Sequence, residues 1–356
     1  MRVKLKDITK FSKGTQINGK NLIDDGAYSY LNGGINPSGK WNEFNVAENT
    51  VTISEGGNSS GYVNYMNEAF WCGAHCYYLY DGPKNSKYLY YALKSQQERL
   101  FRIRSGACMP NIKKSDLGNF IIEYEKDEVR QEEVVKVLEK CELLIEDYNK
   151  KLTLLDEAVR ARFVEMFGDL RINDKGWKYY KLDELTELIT DGEHATPKRT
   201  TQGIYLLSAR NVLNHQLSLE DVDFIDCDEF DRISRRIIPK EGDVLISCSG
   251  SIGRCCIVPK NIKFQMVRSI ALLRFKSNIN PVFAEYMITS DYLQDQINKS
   301  KTASSQANLF QGKIKSLKGV VPPLELQNQF ASFVQEIDKS RLLSNHSLLL
   351  LKSIIF

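Results

Sequence analysis

The chain has 356 residues, of which 42% are hydrophobic and 26% are charged, and its formal net charge is +3. This length and composition indicate a globular protein with room for two domains, and they exclude a strongly basic chain that binds polyanions through net charge alone. The longest apolar runs, such as LLLL at 348–351, are much shorter than the roughly 20 residues of a membrane span, and the N-terminal MRVKLKDITK lacks a signal-peptide core. We therefore expect a cytoplasmic protein without a membrane partner.

The first predicted domain covers residues 1–127. Its short alternating runs, such as NTVTISEGG, GYVNYM and CYYLYDG, are typical of strands and turns. Cys72 and Cys76 bracket His75 at a spacing that suits a metal, but their neighbours are apolar and no second Cys or His pair follows. Because the chain has eight cysteines and no secretion signal, we expect reduced thiols and no metal site.

A long helix is predicted over residues 128–168. The stretch VRQEEVVKVLEKCELLIEDYNKKLTLLDEAVRARFVEMF contains no Gly or Pro, and the following Gly168 suits a helix C-terminus. Its apolar residues recur at spacings of three and four, so this helix needs a partner along its length. The residues expected to make that contact are Val134, Leu138, Ile145, Leu152 and Leu155.

Residues 169–323 return to strands and turns, and a second helix is predicted over 324–356, after a double proline. Arg341 and Ser344 interrupt its apolar seam, so we expect its end to be less tightly paired. The first helix lacks the proline-rich start, so we expect its first turn to fray. The residues expected to pair in the second helix are Phe330, Val334, Ile337, Leu348 and Leu351.

The two halves of the chain repeat one module. The stretch VTIS at 51–54 lies over VLIS at 244–247, an offset of 193 residues, and Asn111 lies over Asn308 at an offset of 197. The helices register at an offset of 196, which carries Gln131 to Gln327. The loops differ between the copies, as expected of a common scaffold that carries two different surfaces.

Two glycine-rich turns, ISEGGNSSGYVNYMN at 53–67 and ISCSGSIGRCCIVPK at 246–260, are the most distinctive local feature. Neither has the Lys-Ser/Thr pair of a phosphate-binding loop, and a strand rather than a helix follows each, so we interpret them as hairpin turns. The four histidines are scattered, and no hydrolase, metalloprotease or methyltransferase motif is present. We therefore predict no catalytic residue, with a hidden enzymatic site as the alternative.

Basic and polar side chains near the turns are candidates for contact with nucleic acid. Lys and Arg neutralise phosphates, whereas Arg, Asn and Gln also pair with base edges. A basic pair, Arg102-x-Arg104 in the first copy and Lys299-x-Lys301 in the second, recurs at the same place. The candidate DNA-binding residues are Arg102, Arg104, Lys113, Lys114, Arg210, Arg254, Lys299, Lys301, Gln306 and Lys313.

Over nearly its whole length the chain resembles the DNA-specificity subunits of type I restriction-modification systems. The stretches that carry the resemblance are YSYLNGGINPSGKW at 28–41, TISEGGNSSGYVNYMNEAFWCGAHCYYLY at 52–80 and PPLELQNQF at 322–330. The resemblance implies an α+β fold with two similar mixed α/β target-recognition domains, 1–127 and 169–323. Each would be followed by a spacer helix, 128–168 or 324–356, and the two helices would pair as an antiparallel coiled coil with pseudo-twofold symmetry.

The same resemblance implies a non-catalytic subunit in which each domain binds one half of a split double-stranded DNA target. Two methyltransferase (modification) subunits that use S-adenosylmethionine, and restriction subunits that use ATP and Mg²⁺, would be its partners, and the chain itself would hold no cofactor. A coiled-coil scaffold without affinity for DNA is a further alternative.

Overall fold

A computed structural model describes residues 1–106, 108–299 and 308–355. Its contacts divide the chain into two compact units, and both divisions lie inside a long helix. The first unit contains Met1–Lys151 and the residues from Leu343 on, and the second unit contains Leu152–Leu342. No helix in the described part of the chain combines the length and low charge that a bilayer span requires.

In its described residues, the first module (2–123) is built mainly of short strands followed by three short α-helices. Its elements are β1 (Arg2–Lys4), β2 (Lys10–Lys13), β3 (Tyr28–Leu31), β4 (Gly39–Trp41), β5 (Thr50–Ser54), β6 (Val63–Met66), β7 (Phe70–Cys72), β8 (Cys76–Tyr80), α1 (Ser86–Lys94), α2 (Gln97–Arg102), α3 (Lys114–Gly118) and β9 (Ile121–Glu123). Helix α4 (Glu128–Phe167) follows.

In its described residues, the second module (179–320) has the same kinds of element in the same order, with a small hairpin and one short α-helix added, and with an α-helical turn where the first module has a 3-10 helix at Leu5–Asp7. Its elements are β10 (Tyr179–Lys181), α5 (Leu182–Leu185), β11 (Thr186–Asp191), β12 (Ile204–Leu207), β13 (Val212–Leu213), β14 (Gln216–Leu217), β15 (Asp223–Ile225), α6 (Cys227–Ser234), β16 (Val244–Ser247), β17 (Cys255–Ile257), β18 (Phe264–Met266), β19 (Ile270–Phe275), α7 (Pro281–Thr289), α8 (Asp291–Lys299), α9 (Gln311–Ser316) and β20 (Lys318–Val320). Helix α10 (Leu324–Ile355) follows.

The sheets of the two modules correspond strand for strand. The order β2-β8-β5-β6 in the first module matches β11-β19-β16-β17 in the second, and β4-β3-β7 matches β15-β12-β18. Both three-stranded sheets contain one parallel pair, β3 with β7 and β12 with β18. The predicted α+β class, with two similar mixed domains that are each followed by a long helix, is therefore confirmed.

Each module has its own apolar core on the strands of its four-stranded sheet. In the first module, Ile53, Val63 and Tyr77 are almost fully buried beside the helix residue Leu93. In the second module the equivalent strands supply a core that also takes in Phe163 and Phe167 of α4 and Phe330 of α10. The long helices are thus part of the hydrophobic core and not only connections.

Each long helix has a buried glutamine at its fourth position that bonds to the preceding loop. The Gln131 side-chain amide donates to the Glu125 carbonyl (2.6 Å), and the Gln327 amide donates to the Pro322 carbonyl (2.8 Å). The Asp127 carboxylate accepts the Val129 amide (3.0 Å), which satisfies one of the free donors of the first turn of α4. The expectation that this turn frays is therefore wrong, because a side-chain cap replaces the missing prolines.

Within the second unit, α4 and α10 run antiparallel. Phe330, near the start of α10, packs edge-on against Phe163 near the end of α4, with ring centroids 5.4 Å apart. Further along α10, the Arg341 guanidinium pairs with the Asp156 carboxylate at 2.7 Å. Because the later α10 residue meets the earlier α4 residue, the two segments point in opposite directions. The predicted seam residues Val334 and Ile337 lie between these contacts, and both pack on the core of the second module.

The polar residues Arg341 and Ser344 lie within the buried face of α10 and do not interrupt it. The Arg341 side chain is only 20% exposed and Ser344 is 1% exposed. The buried or half-buried positions continue at heptad spacing beyond them, through Leu348, Leu351 and Ile355. The expectation of a loosely paired end is therefore wrong, because the guanidinium stays in the seam by pairing with an aspartate of α4.

Within the first unit, the two helices share one apolar cluster. Val135, Cys141 and Ile355 are buried there with Tyr91 of α1, and the other α4 and α10 residues of the cluster come from the predicted seam. Those predicted residues are Leu138, Ile145 and Leu351. Elsewhere, Leu348 is buried, whereas Leu152 and Leu155 are half-buried.

One predicted pairing residue needs correction. Val134 is 41% exposed, whereas its neighbour Val135 is 8% exposed and belongs to the shared cluster. The buried face begins at Gln131, and positions 131, 135 and 138 follow the spacing of four and three that keeps side chains on one side of a helix. Val134 points away from that side.

Candidate nucleic-acid interface

The glycine-rich turn of the first module connects β5 to β6. These strands pair antiparallel, with Ile53 opposite Val63, which confirms the hairpin interpretation. Gly57 and Gly61 have φ angles of +77° and +84°, a region that residues with a Cβ rarely adopt. The Ser59 hydroxyl donates to the Gly33 carbonyl (2.6 Å), so a second loop packs against the turn.

The turn of the second module connects β16 to β17 in the same way, with Ile246 opposite Cys255. The Ser247 hydroxyl donates to the Ser251 carbonyl (2.6 Å) and accepts the Arg254 amide (3.0 Å). From α8, the Gln294 side chain donates to the Gly253 carbonyl (3.0 Å). Both turns are therefore held by hydroxyl and amide side chains of their own module.

The candidate cations of the first module have different environments. Arg102 and Lys113 are exposed and have no side-chain partner among the described residues. Arg104 is half-buried, and its guanidinium donates to the carbonyls of Phe101 (2.8 Å) and Asn58 (3.2 Å). Arg104 therefore fastens the glycine-rich turn to the end of α2.

Lys114, the fourth candidate of the first module, lies at the start of α3. It is exposed, and its ammonium is 5.8 Å from the centre of the Phe11 ring. A cation held over an aromatic ring in this way keeps most of its surface in water, and it can still approach a phosphate.

In the second module, Arg210 is held by acidic neighbours. Its guanidinium lies 3.5 Å from the Asp221 carboxylate and 3.2 Å from that of Asp223. Lys299 and Lys313 are exposed, Arg254 is half-buried, and none of the three side chains has an ion pair within the described ranges. The remaining two candidates, Lys301 and Gln306, lie outside the described residues.

The cysteines beside His75 belong to the apolar core. Cys72 and Cys76 are buried, and the Cys72 thiol donates to the Cys76 carbonyl (3.4 Å). The His75 ring instead lies at the surface, with Nδ1 3.3 Å from the Glu55 carboxylate. Nowhere in the described ranges do three Cys, His, Asp or Glu side chains gather as a metal site would require.

In the second module, burial raises the pKa of the Cys248 thiol to about 12, which keeps it protonated and unreactive.

A polar cluster that has no local signature in the sequence lies beside each glycine-rich turn. In the first module, Lys13 forms an ion pair with Glu55 (2.7 Å), which also approaches His75. In the second module, Asp191 approaches the His194 ring (2.7 Å) and pairs with Arg236 (2.7 Å). Sequence reasoning misses the pairs Lys13–Glu55 and Asp191–Arg236 because their members are far apart in the chain and meet only in the fold.

Comparisons with known proteins agree with this architecture. The family described as "Type I restriction modification DNA specificity domain" matches residues 1–155 and 174–352. A Mycoplasma pneumoniae protein provisionally named a type I specificity subunit is 32% identical over 209 residues, which are 51% of this chain and 56% of that protein. A similarly named protein of Mycoplasma genitalium is 32% identical over 201 residues, 49% of this chain and 52% of that protein. The chain thus matches about half the length of these relatives.

Among solved structures, the crystal structure of a type I restriction-modification system S subunit from M. genitalium covers 100% of this chain and 93% of its own, with a TM-score of 0.62. Its sequence identity is 20%, so this likeness concerns the fold. The family match extends over both modules and most of both long helices, and the chain therefore belongs to the family of type I restriction-modification DNA specificity domains.

Proposed function

We propose that this chain is the non-catalytic DNA-specificity subunit of a type I restriction-modification complex. One observation carries the proposal: two modules share the same strand order but present different side chains beside the same glycine-rich turn. A repeated scaffold with altered surfaces suits the recognition of two different half-sites of one double-stranded DNA target. The two long helices would then set the number of base pairs between the half-sites.

Exposed cations support contact with DNA. Arg102 and Lys113 in the first module, and Lys299 and Lys313 in the second, are not neutralised by carboxylates of the described residues. Phosphate contacts of this kind give affinity and fix the position of a protein on the duplex, whereas side chains at base edges give specificity.

Exposed apolar side chains on the long helices support the docking of partner subunits. On α10, Leu343, Leu350 and Ile354 are between 54% and 69% exposed, and on α4 Val137 and Leu144 are 57% and 46% exposed. Apolar residues that recur on the outer side of a helix are typical of protein interfaces. We assign this surface to two methyltransferase subunits, with restriction subunits completing the complex.

We propose further that the chain holds no cofactor. S-adenosylmethionine, ATP and Mg²⁺ would belong to the methyltransferase and restriction subunits, and the complex would act in the cytoplasm. The chain alone would then neither methylate nor cut DNA.

The proposal is tested by producing the chain together with its modification subunit and mapping the methylated positions in the host genome. A bipartite motif with a fixed gap is expected. Purified chain alone is assayed in parallel for methyl transfer from labelled S-adenosylmethionine and for DNA cleavage. Activity of the chain alone would favour the enzyme alternative and contradict the proposal.

Affinity for DNA is tested by changing Arg102, Lys113 and Lys299 together to Ala in the assembled complex. Each phosphate contact contributes about 0.9 to the slope of log affinity against log salt, so we expect a slope shallower by up to about 3. The control changes Lys10, Lys84 and Lys260 to Ala, because these exposed lysines already have carboxylate partners. Equal slopes for both triple variants would favour the scaffold alternative.

A further inference from the structure

The polar clusters beside the two glycine-rich turns occupy the same place in the fold. Lys13 is the last residue of β2 and pairs with Tyr77, and Asp191 is the last residue of β11 and pairs with Ala271. Tyr77 in turn lies opposite Ile53, as Ala271 lies opposite Ile246. Strand register therefore makes Lys13 the counterpart of Asp191.

The same register assigns the neighbouring positions. Ser54 pairs with Cys76 and Ser247 pairs with Ile270, so the next residue of the turn is Glu55 in one module and Cys248 in the other. The residue before the paired strand is His75 in the first module and Ser269 in the second. The same scaffold positions thus carry different chemical groups.

In both modules, the segment that precedes the last short helix (α3 or α9) bonds to the glycine-rich turn through its backbone. The Ile112 amide donates to the Glu55 carbonyl (2.9 Å), and the Leu309 amide donates to the Cys248 carbonyl (2.9 Å). Asn111 and Asn308 precede these residues and form the equivalent bridges to the turns. Lys113 and Phe310 follow at matching positions.

In the second module these positions line a cleft of about 550 Å³. Asp191, His194 and Asn308 contribute polar groups to its lining, which also includes Phe310, a residue that is 60% exposed. Arg268 also lines the cleft, is exposed, and has no side-chain partner among the described residues. Arginine with a free guanidinium can donate two hydrogen bonds to the O6 and N7 atoms of guanine.

The two modules have different side chains at these equivalent positions, and this difference favours base recognition over phosphate binding. A phosphate contact needs a cation or a hydrogen-bond donor whatever the DNA sequence, so a phosphate site would not place a carboxylate at the position of a lysine. Instead Lys13 is replaced by Asp191 and His75 by Ser269, whereas the backbone bridges are kept. Side chains that differ between the modules on the same backbone scaffold are suited to the recognition of two different base sequences.

We propose that this cleft and the equivalent surface of the first module are the base-recognition sites, with Arg268 a specificity-determining residue of the second module and His75 one of the first. This inference rests on the proposed function. Each site determines base identity in one half-site, and neither affects the other half-site or the gap.

The test uses the assembled complex with its modification subunit and maps methylated motifs for the wild type, Arg268→Ala and His75→Ala. Arg268→Ala is expected to make at least one base pair of one half-site degenerate, because loss of a bidentate base contact lowers discrimination by about 5-fold to 150-fold. His75→Ala is expected to alter only the other half-site. Lys260→Ala, which removes an exposed lysine of the second module outside the cleft lining, is the control and should leave the motif unchanged.

An unaltered motif in either variant overturns the assignment for that module, including the case in which affinity falls equally for all sequences. If the wild-type complex methylates no bipartite motif, the proposed function itself fails, and the two failures are thereby distinguishable. Both Arg268 and His75 are exposed, and equal thermal unfolding of variant and wild type checks that the fold is retained.

Discussion

Arg102 and Arg104 are two residues apart, yet their side chains have different roles. The recurrence of a basic pair in both halves of the sequence predicts DNA contact for both arginines. In the structure only Arg102 is free to meet a phosphate, because Arg104 donates to the carbonyls of Phe101 and Asn58. The sequence does not show which carbonyls will lie within reach of a guanidinium, so this distinction requires the fold.

A second residue-scale feature is the ion pair between Glu229 and Arg232 on α6. The Arg232 guanidinium approaches both Glu229 oxygens at 2.9 Å and lowers the pKa of this carboxyl from 4.5 to about 2. A carboxyl with a lowered pKa in the folded state stabilises the protein above its unfolded-state pKa, and that contribution is lost as the pH falls from about 4.5 towards 2.

We therefore expect Glu229→Gln to lower the free energy of unfolding most above pH 4.5, with a difference from wild type that shrinks as the pH falls. Urea unfolding of both proteins at a series of pH values measures this difference. Asp231→Asn, a change at an exposed carboxylate on the same helix, is the control. A difference independent of pH would contradict the assigned pair.

At the scale of elements, the two long helices could be predicted from the absence of Gly and Pro and from the heptad spacing. The face that each helix buries is harder to predict. Val134 and Val135 are both apolar, and the choice between them depends on Gln131, a polar residue that is buried because it bonds to the preceding loop. Arg341 likewise resembles an interruption in the sequence because its partner Asp156 is distant along the chain.

The aromatic contact between the helices in the second unit should contribute strongly to stability. Phe330 is fully buried and its ring meets those of Phe163, Phe167 and Tyr286. We expect Phe330→Ala to lower the free energy of unfolding by about 3–5 kcal/mol, because it removes a large buried side chain and leaves a cavity. Denaturant unfolding measures the loss.

The matched control is Leu342→Ala on the same helix. Leu342 is 72% exposed, so we expect its change to alter the free energy of unfolding by less than about 0.5 kcal/mol. Equal losses in the two variants would show that the helix contact contributes little to stability.

At the scale of the whole molecule, the duplication could be predicted from the register of short sequence matches, and the strand orders confirm it. The candidate site could be predicted only in part. Side chains at the ends of β2 and β11 lie next to the turns because of sheet pairing between residues far apart in the chain, and local motifs carry no trace of this.

If the helices set the gap between half-sites, lengthening both should lengthen the gap. Seven residues add about 10.5 Å of helix, which corresponds to about three base pairs at a rise of about 3.4 Å. We expect the insertion of one heptad after Lys151 and another after Leu342 to lengthen the methylated motif's gap by about three base pairs. An insertion in α4 alone is the control, since helices of unequal length should assemble poorly. An unchanged gap in the double insertion would contradict this role.

The division of the chain also has a consequence for synthesis on the ribosome. The residues from Leu343 on belong to the first unit, where Leu351 and Ile355 join a cluster with Tyr91 and Val135. During translation the N-terminal part of that unit keeps some of its apolar surface uncovered until the whole second unit has been synthesised. A nonsense mutation near codon 343 would thus remove the helix residues that cover the N-terminal part of the first unit, although the codons for that part lie far upstream.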